Sequence, residues 1–563
     1  MAEVRRLAAH PDESAVLRRT APMLRGHGRW LAVAVLVNLA GAGGVVASSV
    51  LLGVVTDAIL DRDRGAVVVT AVVAIVVAGV ALGLEWIGQL AVVRLGETVV
   101  QQLRDLAVAR IAEAPLRFIE AHRRGDLVRR TTGEMAELSG FVGRTLPDLV
   151  SQSLLVVVTV VVLAGYSWVL TGVVIVMLAV AIAVLGRRYL ARAGPALANL
   201  AHAEAGVSAS FAESLSASEQ IALLGARSIR GQQLREEGET LLAARIGFLR
   251  SYRWLMAFGP VGGLTLVALV ALSAWGVDRG WLGVGGAVTF IFAARGAFGD
   301  VEDLVDGLGE LRAARTILAR LLDLIDATEI EVGAGAVPPA PGDLVLDSVG
   351  YRYDADGPPA LVEVSMRLSP GDHVAVVGET GSGKTTLGKV LAGFYTADEG
   401  SVCWRGMPIH RIDPGVLRRA VVCVPQEVVL VEGSIAANLA TLPGVVDTPA
   451  WRGQVLRTAV ELGLGAWLAR LPAGLDTAVG EHGSNISAGE RQIVALLRAA
   501  LADPAILVLD EATADVDADI AGAVEGAVAR LGQGRITVVI AHRPDTIGRA
   551  DRVIRLAEGR LLG

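Results

Sequence analysis

At 563 residues, 53% hydrophobic, 19% charged and with a mean hydropathy of +0.54, the chain is too apolar for an ordinary soluble protein and implies membrane spans. A net charge of −7 gives no reason to expect nucleic acid as a partner. The two cysteines, Cys403 and Cys423, offer neither a disulfide framework nor a metal-ligand spacing and suit a reducing compartment.

Residues 1–28 are polar and Arg-bearing and lack the layout of a cleaved signal peptide, so they read as a cytoplasmic tail. Charge-free runs follow at 30–56, 65–84, 149–186, 254–277 and 280–294. The run 149–186 is about twice the length of one span, and Gly165-Tyr-Ser-Trp168 in its middle predicts a turn. Six spans are therefore expected, near 29–58, 65–93, 145–166, 169–189, 250–277 and 282–300, in a membrane domain over 29–325. Arg-rich segments at 94–144 and 187–253 face the cytoplasm together with the tail, which returns the C-terminal half to the same side. Both segments are helical in pattern and project beyond the bilayer. A helix from about 66 to 113 would run roughly 70 Å. It breaks at Pro115-Leu-Arg-Phe118, and a second break is expected around Glu213–Ser218.

Two charged residues in the spans are candidates for a substrate cavity, Arg295 and Glu85. For Arg295 the plainer reading is a snorkelling side chain or an ion pair with Asp300. Asp300, Asp303, Asp306 and Glu310 share one helical face, read here as a solvated extension in preference to a cavity lining.

Residues 326–342, with Pro338, Pro339 and Pro341, form a linker to an α/β region over 343–563. Tyr353 closes an aromatic strand and offers a face for adenine. The strand His373–Val377 then leads into Gly378-Glu379-Thr380-Gly381-Ser382-Gly383-Lys384-Thr385, with a helical pattern from Thr386. This is a phosphate-binding loop in its full strand–loop–helix context. Its glycines turn backbone N–H groups inward, Lys384 supplies charge for the β- and γ-phosphates, and the Thr385 hydroxyl can hold Mg²⁺. ATP and Mg²⁺ are thus the expected ligands. Gln426, after the strand Val421–Val424, can sense metal and water. Asp510 and Glu511 end an apolar strand. Asp510 can reach Mg²⁺ and Glu511 can polarise the attacking water. His542, after the strand Ile536–Ile540, can contact the γ-phosphate.

These residues resemble the ATP-binding cassette transporters of the exporter fold. Asn485-Ile-Ser-Ala-Gly-Glu-Arg-Gln492 looks like that family's signature, and the likeness extends over nearly the whole chain. The implied fold class is an all-α six-helix membrane domain followed by an α/β P-loop ATPase domain. The resemblance implies that Tyr353 stacks on adenine and that Gln426 is the Q-loop glutamine. It makes Glu511 the catalytic carboxylate, Asp517 the D-loop aspartate and His542 the switch histidine. It places coupling helices near 116–126 and 212–219. It also implies a dimer, homo- or heteromeric, in which Ser487, Ala488, Gly489 and Glu490 cap the ATP of the opposite subunit. Ala488 and Glu490 depart from the usual Gly and Gln, and the added charge at Glu490 is expected to weaken that half-site. Asp515 replaces a usual small apolar residue in the D-loop. The implied function is ATP-driven export of a small molecule, drug, lipid or peptide across the inner membrane. Two rivals are an importer on the same fold and a membrane ATPase with an assembly or regulatory role.

Overall fold

The computed structural model describes residues 7–8, 12–13, 16–122, 124–328, 342–354, 357–442, 444–510, 518–541 and 543–562. The chain divides into two compact units. One comprises Arg6–Ala112 and Arg123–Ala327. The other comprises Met1–Arg5, Glu113–His122 and Thr328–Gly563.

The first unit is all helical. Six helices are long and apolar enough to cross a membrane: Gly28–Leu60, Arg64–Ala112, Gly125–Tyr166, Trp168–Ser216, Arg227–Asp278 and Val284–Ala327. The long uncharged run divides at Ser167, whose backbone is extended and whose hydroxyl accepts the Leu170 N–H at 3.4 Å. Half of the apolar window of the sixth span is buried against 6% of that of the second, so the sixth is the central helix. Small residues let the spans approach closely. Gly53 faces Gly285 and Thr289, and Gly44 faces Ala81, each with no room for a methyl group. Asp57 accepts the Gly285 N–H at 2.7 Å, and buried Asn38 accepts the Ser151 hydroxyl at 2.8 Å.

The break expected around Glu213–Ser218 falls at Ala217, between two helices, and not at the serines themselves. Ser214 and Ser216 donate to the carbonyls of Ser210 and Ala212, four residues back, and helix continues to Ser216. A short helix, Ser218–Leu223, follows and ends at Gly225 with φ 65°. The acidic face of the sixth span is solvated at Asp303 and Glu310, which are exposed, but it also makes contacts that a purely solvated extension would not. Asp306 accepts from the hydroxyls of Tyr189 (2.5 Å) and Tyr252 (3.4 Å), Asp303 from Gln152 (3.3 Å), and Glu310 from Thr145. These carboxylates fasten the sixth span to three neighbours. Arg295 is exposed and Glu85 half-buried, and Arg295 forms no ion pair with Asp300 among the described residues. The four residues between them place the two side chains on different sides of the helix closely enough to be neighbours in sequence but not in contact.

The second unit is built on twelve strands: β1 (Leu344–Arg352), β2 (Pro359–Leu368), β3 (His373–Val377), β4 (Glu399–Trp404), β5 (Met407–Pro408), β6 (Val421–Val424), β7 (Gly433–Ser434), β8 (Ala478–Val479), β9 (Ile506–Asp510), β10 (Ile536–Ile540), β11 (Arg552–Ala557) and β12 (Arg560–Leu562). They form sheets ordered β2-β1-β4-β5, β12-β11-β3-β10-β9-β6 and β7-β8. In the six-stranded sheet β11, β3, β10, β9 and β6 run parallel. Its strands are buried on both faces, hence their unbroken apolar runs. Ile506 and Val508 pack with the β1–β2–β4 side, while Leu507 and Leu509 pack with the helical side around Ile493 and Leu496.

Candidate nucleotide site

Strand register brings the site together. Val376 of β3 pairs with Ile540 of β10, Ile540 pairs with Asp510 of β9, and Leu509 pairs with Val424 of β6. The loop after Val377, Asp510 and Gln426 therefore share the carboxyl edge of one sheet. Asp510 lies two strands from β3, about 10 Å at the usual strand spacing.

The loop needs its glycines. A Cβ at Gly378 would collide with the Leu556 carbonyl and meet the Ser382 hydroxyl at 2.7 Å. Gly381 and Gly383 sit at φ 83° and 99°, in the left-handed region. Gly383 opens the helix Lys384–Leu391. Lys384 is buried and its ammonium donates to the carbonyls of Gly378 and Glu379, both at 2.8 Å. Glu379 and Thr380 are exposed on the loop, and the Ser382 N–H donates to the Glu379 carbonyl at 3.1 Å. The Ser382 hydroxyl is buried without a partner among the described residues, an unfilled polar position inside an N–H-rich cradle. Thr385 is exposed at the start of the helix, whereas Thr386 is buried.

Tyr353 follows β1 and is 51% exposed, so one face of its ring is open. Its hydroxyl pairs with Thr386 at 2.9 Å, which ties it to the phosphate-loop helix. Edge-on contacts with Tyr351 (5.3 Å) and Tyr395 (5.9 Å) hold the ring, and those two rings stack at 4.8 Å. Burial raises the Tyr351 hydroxyl to about 12. Burial, then the Glu120 carboxylate, raises that of Tyr395 above the usual tyrosine range.

A short helix, Leu116–Ala121, packs on this aromatic group within the same unit. Arg117 donates to the carbonyls of Arg352 (3.1 Å) and Tyr353 (3.4 Å), lies 5.2 Å over the Tyr351 ring, and pairs with Asp398 at 3.7 Å. Glu120 accepts from the Tyr395 hydroxyl and from Lys389 at 2.7 Å. Sequence reasoning expected a coupling helix here but found none of Arg117, Glu120, Tyr351 or Tyr395. Their contacts join positions more than 230 residues apart, which leaves no local pattern.

The signature opens the helix Ala488–Ala502. Ser487 caps it by accepting the Glu490 N–H at 3.3 Å, and Glu490 returns to the Ser487 N–H at 3.0 Å. Trp467 also donates to Glu490 at 3.2 Å. The Glu490 charge is thus held on its own helix terminus and is not the free charge that its residue type suggested. Ala488 is exposed and Gly489 buried. Asn485 bridges the Gly480 N–H and the Ala478 carbonyl. Glu511, Asp515, Asp517 and His542 lie outside the described residues.

The chain is similar to known proteins. Residues 31–299 match the family model of the ABC transporter transmembrane region, and residues 361–514 match the family model described as ABC transporter. An ATP-dependent lipid A-core flippase of Cupriavidus metallidurans is 31% identical, over 98% of this chain and 93% of its own length. An uncharacterised ABC transporter ATP-binding protein of Bacillus subtilis is 27% identical, over 85% and 79%. The structure of a bacterial Atm1-family ABC exporter with ATP bound superimposes with a TM-score of 0.82 at 25% identity, covering 96% of this chain and 95% of the other.

Proposed function

This chain belongs to the ABC transporter family, and on that footing we propose that it is half of a dimeric exporter that moves an amphipathic, lipid-like cargo outward across the inner membrane. It is an integral membrane protein that couples ATP hydrolysis to transport. The observation that carries the cargo assignment is the end-to-end likeness to a lipid A-core flippase, 31% identical over 98% of this chain.

Two such chains close on ATP. Each loop Gly378–Thr385 faces Ser487–Glu490 of the partner subunit, and Tyr353 stacks on the base. On binding, Lys384 exchanges two neutral carbonyl acceptors for anionic phosphate oxygens, making charge-assisted bonds about twice as strong. The unpartnered Ser382 hydroxyl gains an acceptor in the same step. The donor set at the sheet edge suits a hard cation: the Thr385 hydroxyl and Asp510 carboxylate would hold Mg²⁺, with Gln426 beside them. When bound, the ion supplies charge neutralisation to the phosphates. Glu511 orients the attacking water, His542 contacts the γ-phosphate and Asp517 reaches across the dimer. The N-terminus and ATPase unit face the cytoplasm.

Purified protein in proteoliposomes tests this reading. ATP-dependent translocation of a fluorescent phospholipid is expected, absent in Glu511→Gln. ATPase stimulated by water-soluble solutes, with no lipid movement, would overturn the cargo assignment. Hydrolysis at the wild-type rate by Glu511→Gln would overturn the catalytic one.

A further inference from the structure

Three guanidinium groups converge on one indole in the helical unit. Arg188, Arg192 and Arg253 lie 5.0, 5.4 and 5.4 Å from the Trp254 ring. Arg188 and Arg192 are one turn apart on the helix carrying the fourth span, and Arg253 and Trp254 are consecutive on the helix carrying the fifth. All three arginines are exposed and Trp254 is half-buried. None of the three guanidinium groups makes an ion pair or hydrogen bond among the described residues. The Trp254 indole N–H is buried with no acceptor.

The cluster sits where two uncharged runs end. Residues 149–186 stop at Arg187, and residues 254–277 begin at Trp254 itself. Solitary arginines at a membrane boundary extend away from the apolar surface into water. Here three turn onto the same ring, and the like charges repel with no ion pair to offset them among the described residues. An anion with several oxygens relieves that repulsion and accepts bidentate bonds. The apolar ground on both helices immediately beyond the cluster suits acyl chains, which a free phosphate lacks.

We propose that Arg188, Arg192, Arg253 and Trp254 form a site for the phosphate headgroup of an anionic glycerophospholipid, held as a resident lipid and not as cargo. Its acyl chains lie along the fourth and fifth spans.

The full chain in nanodiscs of phosphatidylcholine with phosphatidylglycerol tests the proposal by native mass spectrometry. Wild type is expected to retain phosphatidylglycerol over phosphatidylcholine. The double variant Arg188→Ala/Arg192→Ala is expected to lose about tenfold in retention, the scale of lost charge-assisted bonds. Arg245→Ala/Arg250→Ala, with the same loss of charge elsewhere on the fifth helix, is expected to retain it. Arg188→Lys/Arg192→Lys keeps the charge but not the bidentate fork and is expected to show partial loss, which covers failure of the alanine variant to fold. Equal retention by wild type and the lysine variant overturns the proposal. Displacement by inorganic phosphate alone makes this a free-anion site, and release of the lipid during ATP turnover makes it cargo. Either outcome also overturns it.

Discussion

The two units bury apolar residues by different rules. In the ATPase unit Ile506, Leu507, Val508 and Leu509 are all fully buried, although they alternate between faces of the sheet. On the second span Ile75 is 73% exposed and Trp86 68%. Water surrounds the ATPase unit and drives apolar groups inward. Lipid surrounds the spans and removes that drive, so packing of small residues and a few polar clasps hold the helices instead. The same side chain therefore carries different weight in the two places.

The largest expected contrast lies in catalysis. Lys384→Ala and Glu511→Gln should each lower ATPase activity by about 10²–10³-fold, read by phosphate release, while leaving the membrane helices folded by circular dichroism. A comparable factor should appear in thiol chemistry. Burial raises the Cys423 thiol to about 12. At pH 8 its alkylation should be about 10³-fold slower than that of a thiol near 9, measured by mass spectrometry on native protein. The folded state favours the protonated thiol. That contribution to stability is present below pH 9 and is lost as pH rises through about 12.

Core truncation tests the contrast in burial directly. Leu509→Ala should cost about 2–5 kcal/mol in stability of the ATPase unit. Ile75→Ala, in a bilayer, should stay within about 0.5 kcal/mol, both followed by thermal unfolding. Equal losses would break the comparison. Arg117→Ala removes a charged donor from the Arg352 and Tyr353 carbonyls, worth about 1–3 kcal/mol. The KM for ATP should rise several-fold with kcat less affected. Smallest is Glu490→Gln, which preserves the capping pair with Ser487 and should shift stability by under about 0.5 kcal/mol.

Uncharged runs located the six spans because a bilayer core tolerates few charges, whatever the fold around it. They said nothing about which span is central, since that depends on long-range contacts such as Gly53 meeting Gly285. The phosphate loop was legible because Gly381 and Gly383 need backbone that other residues avoid. The engagement of Glu490 was also legible in principle, since Ser487-x-x-Glu490 is a capping pattern, but residue charge alone pointed the other way. The acidic residues of the sixth span were only half read for a similar reason: Asp303 and Glu310 are exposed as expected, but their partners were not foreseen. Their spacing shows one face, and only Tyr189, Tyr252, Gln152 and Thr145 show what that face meets.

The helix Leu116–Ala121 interrupts the membrane region in sequence yet packs with the ATPase unit. Phe118 is 3% exposed there, and Leu116 rests against the core that contains Tyr351 and Tyr395. Anyone building a chimera by exchanging ATPase domains at the linker would therefore cut through a packed assembly. The graft would arrive without its Arg117 and Glu120, and would succeed only if residues 113–122 travelled with it.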